Sequence, residues 1–96
     1  MDKEAIIKEV KKVVATHLSK EYRMVLFGSW AKGDALETSD IDIGILGRKE
    51  VPWGVMVKIL EEVENIPTLR KVDVVDLNSV SGDFRNNVLE YAKNLS

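Results

Sequence analysis

The chain has 96 residues, of which 45% are hydrophobic and 31% charged, a composition typical of one soluble folded domain. It contains no cysteine and a single histidine, which excludes disulfide scaffolds, cysteine-ligated zinc and thiolate nucleophiles and argues against a Ser-His-Asp triad. The formal net charge of −2 shows no basic excess for nucleic acid, and no apolar run approaches the ~18 residues of a membrane span. We therefore expect a cytoplasmic protein that binds neither membranes nor, directly, nucleic acid.

The N-terminal quarter predicts a helix followed by a buried strand. Apolar residues recur at spacings of three and four from Lys3 to about Tyr22, with lysines and glutamates between them, which predicts an amphipathic helix. Met24–Phe27 is a short continuous apolar run that ends at Gly28, a pattern that favours a buried strand.

A polar loop and a second strand follow. Residues 28–39 are rich in Gly, Ser, Asp and Thr and predict a loop, with a helical turn at residues 29–32. Residues 40–46 alternate between polar and apolar, which predicts a strand. Its three isoleucines would face a core, whereas Asp40 and Asp42 would share the opposite face.

The second half predicts two helices around a third strand. Apolar spacing predicts a helix from Trp53, which we expect to pack at the helix start, to about Ile66. Residues 72–77 predict a strand, and a last helix begins near Asp83, with Phe84, Val88, Tyr91 and Leu95 on one face. The order α-β-(loop)-β-α-β-α predicts a single α/β domain. Whether the third strand runs parallel or antiparallel to the second is left open.

The two aspartates of the second strand indicate a metal site. Asp40 and Asp42 stand two residues apart, so their side chains project from one face of the strand. Adjacent carboxylates repel each other, and a hard cation with oxygen ligands relieves that repulsion. Mg²⁺ fits best, because it binds one or two carboxylates together with substrate phosphates.

The turn before that strand has the composition of a phosphate-binding loop. Gly28 ends a strand and Ser29 begins the helical turn, so backbone N–H groups and a hydroxyl are available to phosphate oxygens. Lys32 would add a cation, and the alternative is a solvated loop lysine. A phosphate cradle beside metal-binding carboxylates would equip the site for nucleotidyl transfer.

The third predicted strand offers two further carboxylates, Asp73 and Asp76. They stand three residues apart and point to opposite faces, so side-chain parity alone does not decide which one joins the pair. A third carboxylate would complete the shell of a second metal ion and help to deprotonate an attacking hydroxyl.

Gly28-Ser29, ten residues, then Asp40-x-Asp42 resembles the signature of the DNA polymerase β-like nucleotidyltransferase superfamily. The short chain resembles its minimal nucleotidyltransferase (MNT) branch, often the antitoxin of HEPN–MNT toxin–antitoxin pairs. The resemblance implies that residues 1–96 form one nucleotidyltransferase domain, a mixed sheet with helices on one face and the active site on the other. Members often carry arginine at the positions of Trp30 and Lys32, and here only Lys32 is basic.

The resemblance also assigns roles. It places Gly28 and Ser29 on a nucleoside triphosphate, Asp40 and Asp42 on two Mg²⁺ ions, and Asp73, favoured over Asp76, as the third carboxylate. It implies transfer of AMP from ATP to a hydroxyl, with a HEPN toxin tyrosine as the acceptor. Two alternatives stay open: an antitoxin that acts by complex formation without catalysis, and a small-molecule nucleotidyltransferase completed by homodimerisation.

Overall fold

Helices and strands alternate along the chain in the computed structural model, which describes residues 2–36 and 39–95. In chain order they are α1 (Lys3–His17), β1 (Arg23–Phe27), α2 (Ser29–Lys32), β2 (Ile41–Leu46), α3 (Trp53–Glu64), β3 (Val72–Asp76), α4 (Gly82–Tyr91) and β4 (Lys93–Asn94). The predicted element order is confirmed as far as α4. Residues 37 and 38 of the predicted loop lie outside the described residues.

Both ends of the chain differ from the sequence prediction. The first helix begins at a cap, because the Asp2 side chain accepts from the backbone N–H of Ala5 at 2.8 Å. It ends at His17 rather than near Tyr22, since Leu18 is already extended and Tyr22 closes a turn on the Ser19 carbonyl. The last helix was expected to reach Leu95, but α4 ends at Tyr91. The exposed, polar residues Lys93 and Asn94, which carry no alternating pattern, form the short strand β4, which was not predicted.

The strands form one mixed sheet in the order β3-β2-β1-β4. Strand β1 pairs antiparallel with both β2 and β4, whereas β2 and β3 are parallel. Helix α3 provides the crossover that a parallel pair requires. The direction of the third strand, which the sequence left open, is therefore parallel.

The two faces of the sheet are covered differently. Helices α1 and α3 pack on one face, where Ile41, Ile43 and Ile45 of β2 are fully buried. Strand alternation puts Phe27 and Asp42 on the other face, which we call the site face. Helix α4 packs there through Val88 against Phe27 and Leu77. The small α+β fold with a mixed sheet is as predicted, but the expectation that the helices pack on one face is wrong for α4, whose apolar residue Val88 is buried on the site face.

Within residues 2–36 and 39–95, the helices are all too short or too polar to cross a membrane.

Candidate active site

Three strand ends bring the predicted site residues together. Because β1 runs antiparallel to β2, its C-terminal end lies beside the N-terminal ends of β2 and β3. Asp42 is the register partner of Phe27 on one side and of Asp73 on the other. The residue after Phe27 is Gly28, so the glycine turn and the two aspartates occupy one corner of the site face.

Gly28 is required at this corner for two physical reasons. Its φ of 71° lies in the left-handed region, which side chains other than glycine rarely adopt. A Cβ added at Gly28 would overlap the Asp42 carboxylate and lie 3.1 Å from its Cγ. The Gly28 carbonyl accepts from the backbone N–H groups of Ala31 and Lys32, both at 3.1 Å, which fixes the first turn of α2. The Ser29 turn is therefore held directly against Asp42.

Asp42 has an electrostatic environment that disfavours its ionised form. Partial burial raises the pKa of its carboxyl, and the neighbouring carboxylates of Asp73 and Asp40 raise that pKa further. The Lys71 ammonium lowers it, but the net direction is upward. The site thus concentrates negative charge that the described side chains do not fully compensate.

Asp40 and Asp73 flank Asp42 in more open positions. Asp40 is exposed and directly precedes β2, and the next residue, Ile41, donates its N–H to the Lys71 carbonyl at 3.0 Å. This bond ties the start of β2 to the start of β3. The Asp73 carboxylate is partly exposed and lies 3.8 Å from Lys71 Nζ. Both carboxylates are accessible to a ligand.

Asp76, the alternative third carboxylate, lies elsewhere. It pairs in register with Ile45, on the face of the sheet opposite Asp42. It is 8% exposed and accepts from the backbone N–H groups of Val51 at 2.8 Å and Asn78 at 2.9 Å. Asp76 therefore anchors two loops, and Asp73 is the carboxylate beside Asp42.

Two side chains of α2, Trp30 and Lys32, make contacts within the protein. Lys32 Nζ lies 4.7 Å from the centroid of the Tyr91 ring in a cation–π contact, so it would have to leave that ring to bind a phosphate. The Trp30 ring packs against the core, and its Nε1 donates to the Ser39 carbonyl at 3.3 Å. Trp30 thus holds the loop on the sheet.

Asp40, Asp42 and Asp73 suit Mg²⁺ chemically, but they do not form a closed cage. Among the described residues, no three acidic or histidine side chains converge closely enough to make a ready metal centre. The donor set consists of hard carboxylate oxygens, and the raised pKa of Asp42 marks charge that a cation would relieve. Mg²⁺ typically binds through one or two carboxylates together with phosphates, which fits an open set.

A cleft beside the aspartates contains residues that the sequence analysis did not select. It has a volume of about 610 Å³ and runs from Asp42 and Asp73 around the edge of β3 to α3. Phe84 of α4 lines it, 46% exposed, with its ring edge-to-face against Phe27 at 6.3 Å. On α3, the residues Val57, Leu60, Glu61 and Glu64 line it. Their spacing of three and four could have indicated a shared helix face. The apolar residues that α3 buries in the core have the same spacing, so the sequence pattern was assigned to the core.

Residues 8–96 match the protein family described as polymerase beta, nucleotidyltransferase. The chain belongs to this family. Its assignment as a nucleotidyltransferase enzyme is thereby confirmed, and so is the family resemblance drawn from Gly28-Ser29 and Asp40-x-Asp42.

Sequence relatives of this nucleotidyltransferase come from Methanocaldococcus jannaschii. The candidate protein adenylyltransferase MJ0141 is 52% identical over 48 residues, which is 49% of this chain and 48% of that protein. The match thus spans about half the length of MJ0141. The candidate protein adenylyltransferase MJ1215 is 31% identical over 77% of this chain and 92% of its own length.

Solved structures share the nucleotidyltransferase fold. A candidate minimal nucleotidyltransferase is 27% identical with a TM-score of 0.68, over 96% of this chain and 94% of that one. A chain of a toxin–antitoxin structure with AMP-PNP is 26% identical, with a TM-score of 0.67, over 94% of this chain and 72% of that one. At 22% identity, the complex of a tri-AMPylated Shewanella oneidensis HEPN toxin with its MNT antitoxin shares the fold, with a TM-score of 0.71 over 97% and 71%.

Proposed function

We propose that this nucleotidyltransferase transfers AMP from ATP to a hydroxyl group of a protein and releases pyrophosphate. The acceptor oxygen attacks the α-phosphorus, the bond from that phosphorus to the bridging β-phosphate oxygen breaks, and the hydroxyl proton passes to a carboxylate. The observation that carries the proposal is the corner where Gly28 lies against Asp42 and Asp42 faces Asp73 across the sheet. It combines a phosphate-binding turn with paired carboxylates.

Each group of residues has a distinct task in this proposal. The backbone N–H groups and hydroxyl at Gly28 and Ser29 hold the triphosphate, because the turn that exposes them is fixed against the site. Asp40, Asp42 and Asp73 would hold Mg²⁺, two ions in the full arrangement. Bound Mg²⁺ would neutralise phosphate charge and polarise the phosphate at which substitution occurs.

We propose Asp73 as the carboxylate that receives the acceptor proton. Its carboxylate is partly exposed at the start of β3, the strand at the open edge of the sheet. A general base must lie within hydrogen-bond reach of the hydroxyl that it deprotonates. An acceptor entering from the β3 side of the sheet meets Asp73 first.

The acceptor we propose is a tyrosine of a HEPN-type toxin, which makes this chain an antitoxin. Two considerations support it. The relatives MJ0141 and MJ1215 carry names that describe protein adenylyltransferases. Structures that share the fold include antitoxins in complex with their toxins, one of which holds AMP-PNP.

Labelling of a lysate from the source organism tests this proposal. Purified protein, Mg²⁺ and ATP labelled at the α-phosphate are added, with the Asp40→Asn/Asp42→Asn variant in parallel. We expect label in one protein band with the wild type and none with the variant. Equal labelling by both proteins would contradict the assignment of the site. A partner that is still neutralised by the double variant would instead favour an antitoxin acting through complex formation.

A further inference from the structure

The outer edge of the sheet at β3 is open. Strand β3 is the last strand on its side, whereas β1 is followed by β4 on the other side, in the part of the chain that the structure describes. The phosphate-binding turn at Gly28 follows β1, and Asp73 lies on β3. A triphosphate held at Gly28 therefore leaves the β3 side as the approach for the second substrate. This inference rests on the proposed function.

Helix α3 presents an apolar stripe to solvent beside this open edge. Trp53 is 83% exposed and Leu60 is 41% exposed, with half-buried Val57 between them. The expectation that Trp53 packs at the helix start is therefore wrong, because its ring points away from the core. Together with Glu61 and Glu64 these side chains form one helical face, about 16 Å long from Trp53 to Glu64 at 1.5 Å per residue. We call these five residues the outer stripe.

The end of the outer stripe nearest the site is strongly acidic. Glu61 and Glu64 line the same cleft as Asp42 and Asp73. Among the described residues that line this cleft there is no lysine, arginine or histidine. Lys71 is the cation beside it, and it is paired with Asp73. Glu61 and Glu64 lie on α3 and are not among the proposed Mg²⁺ ligands.

The cleft also suits an aromatic acceptor in shape and polarity. Its walls carry Leu60 and Phe84, both large, apolar and partly exposed. Phe84 already contacts Phe27, directly before the phosphate-binding turn. A phenol ring packed on Phe84 would bury apolar surface on the same face of the sheet as Asp42 and Asp73, while Leu60 lies on the α3 side of the β3 edge.

We propose that the outer stripe and the β3 edge form the docking surface for the acceptor protein, and that Glu61 and Glu64 select an acceptor tyrosine flanked by basic residues. The occupant is a segment of another protein with lysine or arginine beside the tyrosine. Charge complementarity is the basis of this choice, since four carboxylates and no basic side chain are among the described residues that line the cleft. Phe84 contacts the ring on the site face, and Leu60 and Trp53 contact the acceptor on the α3 side of the β3 edge.

Binding of three fluorescein-labelled decapeptides tests the docking surface without requiring catalysis. Each contains one tyrosine, flanked by lysines, by serines or by glutamates. Fluorescence anisotropy is measured with the wild type and with two variants that change exposed side chains, Glu61→Gln/Glu64→Gln and Trp53→Ala. We expect the lysine peptide to bind the wild type about tenfold more tightly than the serine peptide at low salt. The Gln double variant should lose that preference.

A matched control distinguishes the effect of the two glutamates in the cleft from the effect of net charge. Glu21→Gln/Glu90→Gln removes the same two charges at exposed positions outside the cleft. It should keep the wild-type preference for the lysine peptide. Equal binding of the three peptides by the wild type, or an equal loss of preference in both double variants, would overturn the docking surface.

Label transfer distinguishes failure of docking from failure of the proposed function. If label reaches an acceptor and Glu61→Gln/Glu64→Gln leaves the acceptor KM unchanged, the docking surface is wrong and the transferase function stands. If the lysine peptide shows the expected binding pattern but neither it nor any lysate protein accepts label, the proposed function fails, and the surface binds basic peptides without serving an acceptor. A raised acceptor KM with an unchanged KM for ATP supports both.

Discussion

Asp42 and Asp73 face each other across the parallel ladder of β2 and β3, with Gly28 packed against the first of them. This relationship joins three strand ends into one acidic corner. Partial burial and, after it, the neighbouring carboxylates raise the pKa of Asp42, so ionisation of Asp42 is disfavoured when no cation is bound. We infer that the arrangement is held for ligand binding rather than for stability of the fold.

The pH dependence of stability should reveal the unfavourable ionisation of Asp42. Because the pKa of Asp42 is higher in the folded than in the unfolded state, its contribution to stability is present at low pH. It is lost as the pH rises through the folded-state pKa. In metal-free urea titrations from pH 3 to pH 7, Asp42→Asn should lack this decline. At pH 7 its free energy of unfolding should equal or exceed that of the wild type by up to about 0.5 kcal/mol. A clear loss of stability at pH 7 would show that ionised Asp42 is favourably paired.

Mg²⁺ should stabilise the wild type and not the carboxylate variants. A ligand that binds only the folded state raises its stability, and in a chain of this size that gives a Tm increase of about 3 °C or more near saturation. Asp42→Asn and Asp73→Asn remove ligands and should show little shift. Differential scanning fluorimetry with Mg²⁺, and with K⁺ at equal ionic strength, measures it. A similar shift in all three proteins would mean that Mg²⁺ binds elsewhere.

Gly28→Ala and Gly33→Ala separate backbone strain from crowding of the site. Both glycines have positive φ, 71° and 85°, but a Cβ at Gly33 meets nothing within 4 Å. We expect Gly33→Ala to cost about 1 kcal/mol and Gly28→Ala to cost at least about 2 kcal/mol, because only the latter displaces Asp42. Chemical denaturation gives both values. Equal costs would indicate that Asp42 moves aside freely.

Substitution of Asp76 should lower the stability of the fold, whereas substitution of Asp73 should lower Mg²⁺ binding. Asp76→Ala leaves the buried N–H of Val51 and the N–H of Asn78 without their acceptor, so we expect a loss of about 2–4 kcal/mol of stability. Asp73→Asn changes a partly exposed side chain and should stay within about 0.5 kcal/mol of the wild type while losing Mg²⁺ binding. If Asp76→Ala instead abolished Mg²⁺ binding in a stably folded protein, the third carboxylate would be misassigned.

The elements as far as α4, and the places of Gly28 and Asp42 at the ends of their strands, could be predicted from the sequence, because they depend on local pattern. Alternation in β2 separates Asp42 from the isoleucines, and Gly28 marks the turn before α2. The choice between Asp73 and Asp76 could not be made from side-chain parity, since it depends on how β3 aligns with β2. That alignment is set by the crossover through α3 and by packing.

Features that depend on the surroundings of a residue were also missed. The exposure of Trp53 could not be predicted, because a tryptophan at a helix start has the same local pattern whether it packs or not. Helix α4 carries apolar residues that predict a buried face, but nothing local indicates that it packs on the site face beside Phe27. The cleft follows from that placement.

Comparison of two labels in ATP tests the central claim most directly. Purified protein is incubated with Mg²⁺, the acceptor identified in lysate, and ATP labelled at either the α- or the γ-phosphate. The account predicts that only the α-label enters the acceptor, with pyrophosphate released in equal amount. It also predicts a rate at least ~100-fold lower for Asp42→Asn. Incorporation of the γ-label, or an unchanged rate for Asp42→Asn, would contradict nucleotidyl transfer at this site.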